Sequence, residues 1–130
     1  MEQELMIIPA ASKEEIQYWG RRAEVYERRL LTKEAGFPAS VTLRRIPAQE
    51  EAIREGGYSV HAHPTTEMGY VIRGKGVTYF EGLGEVEISA GSLLCIPPGT
   101  RHATVSVQEE FLIAVFNVPP YEKPVGAEPG

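Results

Sequence analysis

A chain of 130 residues has room for one domain and can bury a core without help from disulfides. With 42% apolar and 24% charged residues it has the balance of a folded globular protein and not that of a disordered one. Eighteen acids against 13 bases give a formal charge of −5, so no basic surface is available for phosphate backbones and nucleic acid is not expected as a partner.

The longest apolar runs, 93–98 and 111–116, are too short to cross a bilayer. Residues 1–10 carry acids where a secretory signal has a basic start. No membrane partner and a cytoplasmic location are therefore expected. The single cysteine, Cys95, has no internal partner for a disulfide, which suits a reducing compartment. Its setting, Leu93-Leu94-Cys95-Ile96, reads as a buried strand and an inert core thiol.

In chain order, Ser12-Lys13-Glu14-Glu15 has the form of a capping box, and Ile16, Trp19 and Ala23 recur at helical spacing. A short amphipathic helix is predicted from Lys13, within an N-terminal segment 1–24. Strands are predicted over 25–32 and 40–46, joined by a turn through Gly36-Phe37-Pro38. Glycine and proline then punctuate a series of short strands: 59–63, 67–72, 76–81, 86–88, 92–96, 102–107 and 111–118. The pattern predicts an all-β domain over 25–118, an antiparallel sandwich or barrel. The last twelve residues, 119–130, hold four of the ten prolines and read as an extended tail.

All three histidines fall in the β-rich part, at positions 61, 63 and 102. Side chains alternate faces along a strand, so His61 and His63 point the same way. Glu67 shares their parity if pairing is regular across Pro64-Thr65-Thr66. His102 follows Pro97-Pro98-Gly99, a tight turn able to aim it inward from a distant strand.

The run His61-x-His63-x3-Glu67-x6-Gly74 resembles the first cupin motif, and Gly91-x5-Pro97-x-Gly99-x2-His102 resembles the second. The likeness covers residues 57–106. Two positions depart from it: Glu55 stands where a glycine is expected six residues before His61, and Ser106 where an asparagine is often found. The resemblance implies a jelly-roll-like cupin β-barrel of the small single-domain kind. It further implies one divalent transition metal held by His61, His63, Glu67 and His102. Three imidazoles and a carboxylate suit Fe, Mn, Ni or Zn, and on a six-coordinate ion they leave two positions open, the mark of a catalytic site.

Around that site, parity places Gly69 and Val71 on the interior face with Glu67. A missing side chain at Gly69 is expected to widen the cavity beside the metal, although a β-bulge or a close strand crossing would also call for glycine there. Tyr58, Tyr79, Glu81 and Arg44 are the further candidates for acid–base or binding roles, and Tyr79 joins Gly69 and Val71 in the expected substrate pocket. On the opposite face Met68, Tyr70 and Ile72 form an apolar row that needs cover, from the Lys13 helix or from a second subunit, so a homodimer is expected. The leading functional expectation is a metal-dependent enzyme acting on a small oxygenated metabolite, foremost a dioxygenase, with decarboxylase, isomerase and lyase chemistry open. The alternatives are a small-ligand-binding or regulatory barrel and a purely structural one.

Overall fold

Short runs of β-branched and aromatic residues broken by glycine and proline give strands and little else. The computed structural model describes residues 4–19, 24–49 and 60–122. Among these residues seven strands follow in order: β1 Ile16–Trp19, β2 Glu24–Leu31, β3 Ser40–Ile46, β4 Thr66–Phe80, β5 Gly84–Ser89, β6 Leu93–Ile96 and β7 His102–Val118. Every pairing between them is antiparallel, in the order β1-β2-β3-β7-β4-β5, with β6 also on β4. Helical structure among the described residues is confined to two 3-10 turns, Ala10–Ser12 and Lys33–Ala35.

Two long strands organise the fold. The second half of β7 lies between β3 and the first half of β4, while its first half pairs with the second half of β4. β6 borders the first half of β4 and β5 the second. The sequence predicts four separate strands here, 67–72, 76–81, 102–107 and 111–118. Instead β4 and β7 run on through a shared corner, where their register shifts three times between Val71 and Gly76. Glycine makes the corner possible. A Cβ on Gly74, whose φ is +106°, would stand 2.3 Å from the Glu110 carbonyl oxygen, and one on Gly76 would stand 2.5 Å from the Phe111 ring. Phe111 then packs with Val25, Ile46, Val71, Ile88 and Val107 in the buried core.

The N-terminal helical turn exists, but it spans Ala10–Ser12 and ends where the predicted helix was to start. Ile16–Trp19 forms β1, with Ile16 opposite Glu27 and Trp19 opposite Glu24. The free edge of β2 offers this segment a ladder of backbone hydrogen bonds, and that outweighs the helical spacing of two apolar side chains. β1 sits at the sheet edge, with β2, β3 and β7 between it and β4, so it does not cover the Met68-Tyr70-Ile72 row. Tyr70 and Ile72 remain 45% and 46% exposed. Cys95 also departs from expectation and is exposed. In β6 the alternation turns Ile96 into the core and leaves Leu93 and Cys95 outside.

The predicted strand 59–63 is only partly visible: residues 50–59, Tyr58 among them, lie outside the described residues, and His61 forms an isolated bridge. Of the tail, 119–122 are described. No helix among the described residues is long and apolar enough to cross a membrane.

Candidate metal centre

The loop ahead of β4 and the start of β7 are joined by backbone. His61 N–H donates to the His102 carbonyl at 3.0 Å and His102 N–H to that of His61 at 2.9 Å. Gly99 N–H donates to the His63 carbonyl at 2.9 Å, so the Pro97-Pro98-Gly99 turn is tied to the same loop. This double attachment gathers the three imidazoles. Their ring centroids lie 5.0 Å (His61–His63), 4.6 Å (His61–His102) and 5.3 Å (His63–His102) apart.

One ligand atom from each of the three rings lies within 4.8 Å of the others. Two metal–nitrogen bonds of about 2.1 Å span at most about 4.2 Å, so a small inward rotation of the rings would bring all three onto one ion. Glu67, at the start of β4, places Oε1 3.3 Å from His63 Nε2 and reaches the cluster through that ring. His63, Glu67 and His102 are buried. His102 Nδ1 lies 2.8 Å from the Thr100 carbonyl. A carbonyl only accepts, so Nδ1 carries the proton and Nε2 keeps its lone pair for a metal. The three imidazoles thus fit a divalent transition ion, and the Glu67 carboxylate stands outside the group of atoms that converge within 4.8 Å.

A cavity of about 90 Å³ opens beside the cluster, lined by His61, Glu67, His102 and Arg44 and otherwise by Gly69, Thr78, Thr104 and apolar side chains including Ile46, Ile88 and Phe111. Of the residues expected to wall a pocket, Gly69 does so. Val71 is completely buried in the hydrophobic cluster. Tyr79 neighbours Thr78, which lines the cavity, and so has the opposite parity. The register shifts at the corner invert the parity of β4, which carries Thr78 inward in place of Tyr79. Glu81 is exposed and pairs with Arg101 at 3.2 Å.

A smaller cavity of about 20 Å³ shares Arg44 and Glu67 with the first and is walled also by His63, Glu27, Arg29, Tyr121 and Glu122. Tyr121 is held over it by Ser40, whose hydroxyl donates to the Tyr121 carbonyl at 3.0 Å and accepts its N–H at 2.9 Å. Its ring centroid is 5.8 Å from that of His63. Glu27 was not anticipated as a site residue. The available signal was polar residues, Glu27 and Arg44, at the parity of the apolar Val25 and Ile46.

Comparison with known proteins agrees with this architecture. A predicted oxalate decarboxylase from Thermotoga maritima superposes with a TM-score of 0.71 at 21% identity, covering 88% of this chain and 99% of that one. Ectoine synthase from P. lautus gives 0.71 at 17% identity over 90% of this chain and 80% of that one. The polyketide cyclase RemF from Streptomyces resistomycificus gives 0.70 at 18% identity over 94% and 84%. At these identities the likeness is one of fold. No curated protein sequence matches the chain. The sequence model of the cupin domain matches residues 49–118, more than half the chain, and the protein belongs to the cupin family.

Proposed function

We propose that the protein is a metal-dependent cupin enzyme acting on a small oxygenated metabolite, with His61, His63, Glu67 and His102 holding one divalent transition ion. The observation that carries this reading is the meeting of three imidazole donors within 4.8 Å beside a cavity. A divalent ion bound there supplies Lewis acidity toward a substrate oxygen. The protein's own share is positional. The Thr100 carbonyl fixes the His102 tautomer, the bridge between residues 61 and 102 sets ring spacing, and the buried side chains of Ile46, Ile88 and Phe111 give the cavity an apolar wall. Thr78 and Thr104 present the hydroxyl-bearing side chains of that wall.

Of the two reaction classes, dioxygenase and the decarboxylase, isomerase or lyase group, the names of the neighbours, a predicted decarboxylase, a synthase and a cyclase, favour the second. Elemental analysis of protein purified without added metal tests the reading. Stoichiometric divalent metal in the wild type and its loss in His102→Ala are expected; protein that neither contains nor takes up metal would overturn it. Oxygen uptake with catechols, thiols, diketones and hydroxy acids then separates the two classes. In the same reading a second copy of the chain covers the outer row of Tyr70, Ile72 and Leu93, and sedimentation of Tyr70→Glu as a monomer against a wild-type dimer checks it.

A further inference from the structure

We infer that Arg44 is the recognition residue of the larger cavity and that the molecule it selects is a small carboxylate with an apolar body. This inference deepens the proposed function, since the cavity is the one beside the candidate metal ligands. Among the described residues lining that cavity Arg44 is the sole cation and Glu67 the sole carboxylate. Glu67 Oε1 already lies 3.3 Å from His63 Nε2, which leaves the Arg44 guanidinium as the charged group of that wall able to hydrogen-bond an anion. The rest of the wall is mostly aliphatic and aromatic, so the anion must carry an apolar portion.

Arg44 is held in place by design of the sheet. It lies directly opposite Glu27 in the β2–β3 register, with Nε and Nη2 both 2.9 Å from Glu27 Oε2. Arg29 Nε approaches the other oxygen, Oε1, at 3.5 Å. Glu27 is 4% exposed. The carboxylate is buried while the Arg29 and Arg44 side chains stay 18% and 24% exposed, and such a pair is weak evidence of a stabilising role on its own. A guanidinium whose orientation is fixed by one carboxylate is prepared to meet a second with little further loss of side-chain freedom.

The test compares 2-methylpropanoate with its uncharged isostere 2-methylpropanamide by calorimetric titration of the full chain, metal-free and Co(II)-loaded. Metal-free wild type should prefer the acid by about tenfold or more, the scale of one charge-assisted hydrogen-bonded pair. Arg44→Met should abolish that preference, and Arg44→Lys should keep only part of it, while both variants take up Co(II) with the wild-type visible spectrum. Equal binding of acid and amide by metal-free wild type would overturn the inference without any variant having to fold. So would an undiminished preference in Arg44→Met. Failure of the wild type to take up Co(II) overturns the metal reading instead, and the metal-free comparison still decides the role of Arg44.

Discussion

The two halves of β4 obey the same alternation and yet put opposite parities into the barrel. Before the corner the odd positions Glu67, Gly69 and Val71 are buried; after it Gly76 and Thr78 are. The register shifts between Val71 and Gly76 change which residues the cavity receives. Side-chain parity is thus a property of a stretch of regular pairing and not of a strand as a whole.

If the corner is set by steric closeness of β4 and β7, the largest effect should come from Gly74→Val. That substitution puts a branched side chain at φ +106° and a Cβ 2.3 Å from the Glu110 oxygen. Positive φ and overpacking together should cost about 3 kcal/mol or more, read as a fall in urea midpoint or in Tm of about 10 °C or more. Wild-type stability in Gly74→Val would mean the corner is malleable and would break the comparison. Next in size is Gly69→Phe in the first half. A Cβ there meets Ile113 Cγ2 at 3.3 Å, so Gly69→Ala should cost under about 1 kcal/mol, whereas the phenyl ring should fill the cavity and abolish ligand binding with metal content retained. Turnover that survives a bulky residue at 69 would remove the cavity from the mechanism. In the second half Thr78→Val should alter KM or ligand affinity by several-fold, about 1 kcal/mol for one hydroxyl, and Tyr79→Phe should leave both unchanged. The reverse result would show that parity carries through the corner after all.

The histidine cluster was legible because its spacing is a motif and its geometry follows from local turns: His61-x-His63 on one side, Pro97-Pro98-Gly99 aiming His102 on the other. The corner was not legible. Gly74, Gly76 and the polar run Gln108-Glu109-Glu110 have the composition of turns, and only the long-range pairing of Lys75 with Glu109 and of Gly76 with Val107 makes them strand. The N-terminal segment was misread for a related reason. Capping chemistry is local, while the edge of β2 that captures Ile16–Trp19 is a tertiary fact. Cys95 and Leu93 look buried from their neighbours' hydropathy, yet among the described residues β6 pairs with β4 alone, and its alternation turns that pair of residues outward. The Glu27–Arg44 pair needed the β2–β3 register, which sequence leaves open by one residue, and one residue exchanges the faces.

The smallest expected effect asks whether ions also hold the corner. Arg45 joins three segments on the outer side: its guanidinium donates to Glu15 at 2.8 and 3.0 Å and to Glu110 at 3.1 Å, and Arg73 reaches Glu110 at 3.5 Å. The Arg45 guanidinium, hydrogen-bonded to Glu15, holds that carboxyl below its ordinary value against a smaller opposing effect of burial. A carboxyl lowered in the folded state stays charged there when its unfolded counterpart has begun to protonate. Its contribution is therefore full above the ordinary carboxylate range and fades as pH falls through it. Glu15→Gln should lower stability at pH 7 by under about 1 kcal/mol, because the pair is partly solvated, and the difference from wild type should vanish in acid and shrink in high salt. Unfolding curves at pH 7 and pH 3 check both statements. A loss comparable to that of Gly74→Val would mean that the network of Arg45, and not the absence of side chains at residues 74 and 76, bends β4 and so selects Thr78 for the cavity.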